Sequence, residues 1–366
     1  MRQRYRIVPY HQAGTDATPH IAPGNAHALK VTEPEAFNSL LLDFRDRLQG
    51  VYGQIAGRFR ICENLGALEG ETCMAATCPI NAGEASWSVE DIPYHTLVHD
   101  RVRDDRRLFY ILASASFIEI TSDLYTRNLV EFFRHDGEVV DWLEGNWESE
   151  ELQHGAALKR YVQTAWPDFD WEAAYRSFVA EYSRICTLDQ LAGTRALEMA
   201  ARCVVETGTA TFYRMLSELS REPVLKRLAA EISADEVRHY KHFYRYFLRY
   251  RRLEQPGRTA IFRTLLNRAT EVETEDAFYA FKAVCLGRNP DTGFRKRDYA
   301  AYRDSVVQLA KHHFPHEMAI KMLLKPLDLN PMVGRAMVPA VTSATRLFVR
   351  SWGAASNAKV HADRQP

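Results

Sequence analysis

The chain has 366 residues, of which 46% are hydrophobic, with 47 acidic and 47 basic side chains. That apolar content can build a core, so disorder is not the default state, and a formal charge of zero gives no bulk attraction toward nucleic acid or a membrane surface. No apolar run approaches the length of a bilayer-spanning helix, and the basic N-terminus Met-Arg-Gln-Arg-Tyr-Arg-Ile-Val-Pro lacks the apolar stretch of a signal peptide.

Six cysteines are dispersed, and the nearest pair, Cys73 and Cys78, has no second half elsewhere. Reduced thiols in a cytoplasmic protein are therefore expected, rather than a closed zinc or iron–sulfur site.

Residues 1–35 carry Pro9, Pro19 and Pro23 without periodicity and read as an extended arm. Helical pattern begins near Pro34 and runs through Leu40, Leu41, Phe44, Leu48 and Tyr52; from there to about residue 352 the chain reads as a single helical domain. Gly66, Gly70, Pro79 and Gly83 punctuate a loop over 63–92 to which no function is assigned. A long helix is predicted over 94–134, broken by His135-Asp136-Gly137, and another over 138–165, ending at Trp166-Pro167. A linking helix follows over 171–186, then a long one over 188–220. Pro223 sits in the first turn of the next, 222–254. Further helices are predicted near 258–286, 297–323 and 330–350, with a flexible tail over 353–366. Strand patterns are nearly absent, so the fold class is all-α.

Two stretches, Trp147-Glu-Ser-Glu150-Glu151-Leu-Gln-His154-Gly155 and Ser233-Ala-Asp235-Glu236-Val-Arg-His239, share one arrangement: an acid, then Glu, then His three places later. Residues i and i+3 lie on one helix face, so each pair can aim a carboxylate and an imidazole at one point. The acids Glu150 and Asp235 stand where they can hold a ligating imidazole's other ring N–H. Glu119, in Leu112-Ala-Ser-Ala-Ser-Phe-Ile-Glu119, and Glu206, in Ala200-Ala-Arg-Cys-Val-Val-Glu206, lie in apolar helical runs, where a carboxylate is costly unless paired or metal-bound. One Glu from each of two helices plus Glu-x-x-His from each of two others is the ligand pattern of ferritin-like di-iron four-helix bundles. The halves 119–154 and 206–239 repeat it in the same order, with additional N- and C-terminal helices outside 94–254.

Oxygen-rich ligation without thiolate favours two iron ions per chain over zinc, and manganese suits the same ligands. Thr209, one turn after Glu206, can hydrogen-bond to dioxygen at such a centre and relay protons, or bond to its own helix carbonyl. Trp147 lies on the ligand face but reads as core packing, as do Tyr213 and Tyr240. The run His312-His313-Phe314-Pro315-His316 reads as a helix-end turn. The basic stretches Arg101 to Arg107 and Arg245 to Arg252 read as solvated helix faces, or else as docking patches for an acidic partner.

The stretch around Glu151 resembles the Trp-x-x-Glu-Glu-x-x-His-Gly motif of the soluble acyl-(acyl carrier protein) desaturases. Ile232-Ser-Ala-Asp-Glu236-Val-Arg-His239 is similar to that family's Ile-Ala-Ala-Asp-Glu-x-Arg-His, and Glu206-Thr-Gly-Thr209 to its Glu-x-x-Thr. The resemblance implies Glu119 and Glu206 as terminal ligands, Glu151 and Glu236 as bridging ligands, and His154 and His239 as one ligand to each iron. Asp235 would partner His154, and Glu150 would partner His239. It also implies O2-dependent removal of two hydrogens from a saturated acyl chain on acyl carrier protein or acyl-CoA, a ferredoxin electron donor and a homodimer. Glu119 is followed by Ile-Thr-Ser-Asp, unlike the family's continuation, which leaves Asp123 as the alternative there. Two other readings stay open: a di-iron oxygenase of the same fold, hydroxylating or N-oxygenating another substrate, and a non-catalytic iron-handling protein.

Overall fold

Helix α1 (Arg106–Ile120) starts where Asp105 accepts hydrogen bonds from the Arg107 and Leu108 amides, the usual device for closing a helix N-terminus. The computed structural model describes residues 87–271 and 276–362, the side chains of 270, 271, 292 and 348–362 apart. All of these belong to the compact unit Thr72–Pro366. The arm expected over 1–35, the helix expected from Pro34 and most of the loop expected over 63–92 lie outside the described residues.

The described residues are all helical in class, with no strand among them. The single helix predicted over 94–134 is instead a series of short turns followed by α1 and α2 (Ser122–Phe132). Residues 94–105 alternate charge and bulk without a helical stripe, so they form separate 3-10 turns at Tyr94–Thr96 and His99–Arg101. At Thr121 the hydroxyl bonds back to the Phe117 carbonyl and the amide turns to Ile118. Such back-bonding competes with the regular helix ladder.

The helix predicted over 138–165 is likewise divided, into α3 (Gly137–Trp142), a π-helical turn at Leu143–Trp147, and α4 (Glu148–Ala165). The linking helix is α5 (Trp171–Tyr182). Helix α6 (Arg195–Leu219) is capped by Thr194, later than the predicted start at 188. Helix α7 (Pro223–Glu254) begins at Pro223 and stops at Gln255, which is left-handed with φ 47°. The span 258–286 resolves into α8 (Arg258–Glu271) and α9 (Asp276–Arg288), and 297–323 into α10 (Lys296–His313) and α11 (His316–Leu324). Phe314-Pro315 forms the break between the last two, as the histidine run suggested. Helix α12 runs from Pro331 to Ala362, so helical backbone continues into the predicted tail.

Two helix pairs carry the interior. Helices α6 and α7, joined by a short turn, pack along most of their length, α1 packs on α4, and α4 meets α7 between the pairs. The core has two apolar parts. One contains Phe117, Tyr161, Trp171, Tyr213, Leu228 and Ile232; the other contains Trp147, Met199, Val204, Tyr240, Phe243 and Phe247. On α4, α6 and α7 the polar positions lie where one part gives way to the other.

Helices α1 and α4 meet at Gly155, where an added Cβ would overlap the Ile120 backbone. That contact lies one residue beyond both Glu119 and His154 and sets how near those side chains come. Interiors at native packing density cannot absorb such an overlap without backbone shifts. Gly155→Ala should therefore destabilise the fold by about 2–3 kcal/mol in urea denaturation. Wild-type stability in that variant would contradict the close approach.

Candidate metal centre

Helix α1 presents Glu119, α4 presents Glu151 and His154, α6 presents Glu206, and α7 presents Glu236 and His239. All six are buried, the carboxylates between 1% and 6% exposed. Their ligand atoms fall into two overlapping sets. Glu119, Glu151, His154 and Glu236 have ligand atoms within 4.8 Å of one another, and so do Glu151, Glu206, Glu236 and His239. Glu151 and Glu236 belong to both. This is the arrangement the doubled motif predicts, with one residue of each pair shared. Asp123, the alternative to Glu119, pairs instead with Arg127 at 2.8 Å, part-exposed.

The imidazoles are oriented from behind. His154 Nε2 donates to Asp235 Oδ2 at 3.0 Å, and His239 Nε2 donates to Glu150 Oε2 at 2.8 Å. Each Nδ1 therefore faces the carboxylates. His154 Nδ1 lies 3.2 Å from Glu236 Oε1, and His239 Nδ1 lies 3.2 Å from Glu151 Oε1 and 3.5 Å from Glu206 Oε2. Arg238 ties the two supporting acids together, at 2.6 Å from Asp235 Oδ1 and 3.3 Å from Glu150 Oε2. Trp87 completes that side: its indole donates to Asp235 Oδ2 at 2.9 Å, and its ring stacks parallel to His154 with centroids 6.1 Å apart.

The other face is open. A cavity of about 430 Å³ is lined by Glu119, Glu151, Glu206, Glu236 and Thr209, but by neither histidine. The Thr209 hydroxyl lies 2.7 Å from Glu236 Oε2 and 3.3 Å from its own helix carbonyls at Val205 and Glu206. The helix-carbonyl contact is the one expected from the sequence; the bond to Glu236 is an additional one. Trp147 packs in the core, as expected, while also lining the cavity 6.5 Å from the His239 ring. Tyr240 bonds to the Met322 carbonyl and is a core residue. Tyr213 differs from the reading as a plain core aromatic, since its hydroxyl donates to Glu119 Oε1.

Burial pushes the Glu119 carboxyl well above the usual range, and the neighbouring Glu151 and Glu236 push it further. Glu206 is raised too, chiefly by burial, against the attraction of the nearby His239 imidazole. Burial alone would lower the His154 imidazole, but the hydrogen bond with Asp235 and the Glu236 carboxylate beside Nδ1 carry it up to about 10. His239 is raised likewise by Glu150 and Glu151. For Glu236 and Asp235 burial is outweighed by the histidines, and both are held low.

These features test whether divalent metal fits. His154 Nδ1, His239 Nδ1, Glu206 Oε2 and Glu236 Oε1 are buried without hydrogen-bond partners. With each Nε2–H engaged by an acid, a neutral imidazole aims its Nδ1 lone pair at carboxylate oxygens. Only a proton or a cation makes that contact favourable. The donors, two imidazoles and four carboxylates, suit two divalent first-row ions, so the residues fit.

Several contributors had little or no signal in the sequence. Trp87 stands in a Gly- and Pro-rich loop with no periodicity to mark it. Arg238 follows Asp235 by three residues, a helix-face spacing that was legible. Glu198 and Arg202 precede Glu206 at steps of four and form a buried pair, with Arg202 Nε 3.3 Å from Glu198 Oε1. That charged stripe on an apolar helix was also readable. The Arg245 and Arg249 stretch is engaged with Glu138 and Asp136, which agrees with a solvated helix face.

The raised groups set a pH dependence. Above the ordinary carboxyl and imidazole ranges the metal-free native state keeps protons on Glu119, Glu206, His154 and His239 that the unfolded chain releases, so stability falls as pH rises. Glu236, held low, is ionised in both states there and adds no slope. The melting temperature of metal-free protein should drop by at least about 5 °C between about pH 6 and pH 9, and the stabilisation by added ferrous ion should grow over the same range. Thermal denaturation with and without chelator measures both. A flat or rising metal-free profile would contradict the assignment of protons.

Comparison with family models, with curated proteins and with solved structures finds no match.

Proposed function

We propose that the chain is an O2-dependent di-iron oxidoreductase built on a ferritin-like four-helix bundle. The two Glu/His sets sharing Glu151 and Glu236 carry this reading. Glu119, His154, Glu206 and His239 would each complete one iron, and the bound pair would supply activation of O2 and two-electron oxidation of a C–H-bearing substrate. Asp235, Glu150, Arg238 and Trp87 hold the imidazoles with Nδ1 toward the ions. Thr209 holds Glu236 from the open face and offers a hydroxyl for moving a proton there. The motifs around Glu151, Glu206 and Glu236 support desaturation of a carrier-bound acyl chain, with electrons from a ferredoxin-type donor.

One observation favours the second reading, oxygenation of another substrate. An acyl chain needs an apolar wall at the reacting face, but this cavity is also lined by Arg202, Arg268, Asp276, Asp189, Gln190 and Tyr125. Apolar side chains are few there: Ile118, Val205 and Trp147, with Tyr182. The extra helices α8–α12 speak against simple iron storage. No described helix is long and apolar enough to cross a membrane.

Reconstituted ferrous protein with a ferredoxin system, O2 and stearoyl-acyl carrier protein tests the leading reaction by intact product mass. Loss of two hydrogens is the desaturase outcome and gain of one oxygen the oxygenase outcome. An unchanged substrate with both irons bound would remove the acyl reading. Glu206→Ala should abolish iron binding or turnover with its far-UV helical signal intact. In Thr209→Val, O2 use should exceed product formed, and unchanged coupling would remove the role given to the hydroxyl.

A further inference from the structure

We infer that the cavity beside the Glu/His cluster takes a small organic acid, whose carboxylate seats on the guanidinium of Arg202. The inference rests on the oxidoreductase reading only for what happens to the bound acid; the seat itself is argued from the cavity wall.

Arg202 stands one helical turn before Glu206 on the same face of α6, and both line the cavity. It is 4% exposed, yet its guanidinium makes no hydrogen bond among the described residues, and Nε is buried without an acceptor. Its contacts are the ring of Tyr125, 4.2 Å below Cζ, and Glu198 at 3.3 Å from Nε, outside hydrogen-bond geometry. A guanidinium carries five donors in a planar fork; of these Nε is the one buried without an acceptor, which is costly.

The neighbouring acids are otherwise engaged, save Glu206, which turns its Oε2 to within 3.5 Å of His239 Nδ1. Glu198 accepts from the Ala192 amide at 2.7 Å and from the Tyr125 hydroxyl at 3.4 Å, with Arg268 at 3.9 Å. Arg268 also donates to the Gln190 carbonyl. Asp276 has a partner of its own, and Asp189 is exposed. What Arg202 offers the cavity is donor capacity, in the geometry that a carboxylate matches bidentately. A cavity of about 430 Å³ lies within the range of small-molecule sites. Ile118, Val205 and Trp147 supply an apolar surface for the body of the acid. Anchored on Arg202, the acid would present the carbons next to its carboxylate toward Glu206 and Thr209.

The test is titration calorimetry of the full chain, zinc-loaded to prevent turnover and also metal-free, with benzoate and hexanoate against benzamide and hexanamide. At least one acid should bind, with its amide at least about tenfold weaker. The preference should persist without metal, shrink in Arg202→Lys and vanish in Arg202→Gln. Binding of neither acid, or equal binding of acid and amide, overturns the inference. So does a preference that survives Arg202→Gln or disappears with the metal, which would mean coordination to the ions. Should Arg202→Gln lose its far-UV signal, the wild-type comparison and Arg202→Lys still decide. Metal content of the same samples separates the two readings. A chain that holds no metal sinks the oxidoreductase reading and leaves the seat, whereas a metal-loaded chain without acid preference sinks only the seat.

Discussion

Four carboxylates, almost fully removed from water, meet between two apolar halves of one core. Isolated, each would be far too costly to bury, so their neutralisation is the condition on which the rest of the structure depends. Protons can meet it, on Glu119, Glu206, His154 and His239, in the direction that burial and hydrogen bonding push these groups. Two divalent ions would meet it equally well, since their charge would match that of four carboxylates. The centre is thus neutral in both forms, and exchange of protons for metal leaves the surrounding helices facing a similar field.

The two sides of the centre divide the work. Behind the imidazoles, Asp235, Glu150, Arg238 and Trp87 form a connected set in which each hydrogen bond fixes another group. A connected network of this kind gives the ring nitrogens one orientation. On the open side Glu119 and Glu206 are each held by little besides Tyr213 and His239. Ligand carboxylates with few partners can shift as their charge changes, whereas the imidazoles cannot. Rigidity on one side and freedom on the other suit a site where the open side meets the reactant.

Much of this was legible in the amino-acid sequence because the centre is written in helical spacing. Glu151 with His154 and Glu236 with His239 share helix faces by period alone, and Asp235 and Glu150 fall behind them by the same arithmetic. Caps such as Asp136 and the proline at 223 marked boundaries for similar reasons. The failures have physical causes too. The break at Thr121 depends on a hydroxyl choosing its own backbone, and the π-helical turn before Glu148 adds a residue that no propensity announces. Trp87 reaches the centre from a segment without periodicity, so only tertiary packing reveals it. Gly155 closes the motif around Glu151, but only tertiary packing shows α1 pressing on it.

The same contrast explains why the candidate metal centre is easier to read than the cavity beside it. The ligand set is confined to four helices, and its spacing survives any change in the rest of the chain. The wall that a substrate touches comes from scattered places: Tyr125 on α2, Gln190 in the turn before α6, Arg202 within α6, Arg268 on α8 and Asp276 at the start of α9. Only Arg202 belongs to a spaced pattern, the Glu198, Arg202, Glu206 stripe, and it is the residue that joins wall to centre. Two chains could share every motif around the candidate metal centre and still differ at these positions. A polar wall beside a desaturase-like ligand pattern is therefore consistent within one molecule: on the proposed reading the ligands would determine the oxidising chemistry, and the wall which molecule receives it.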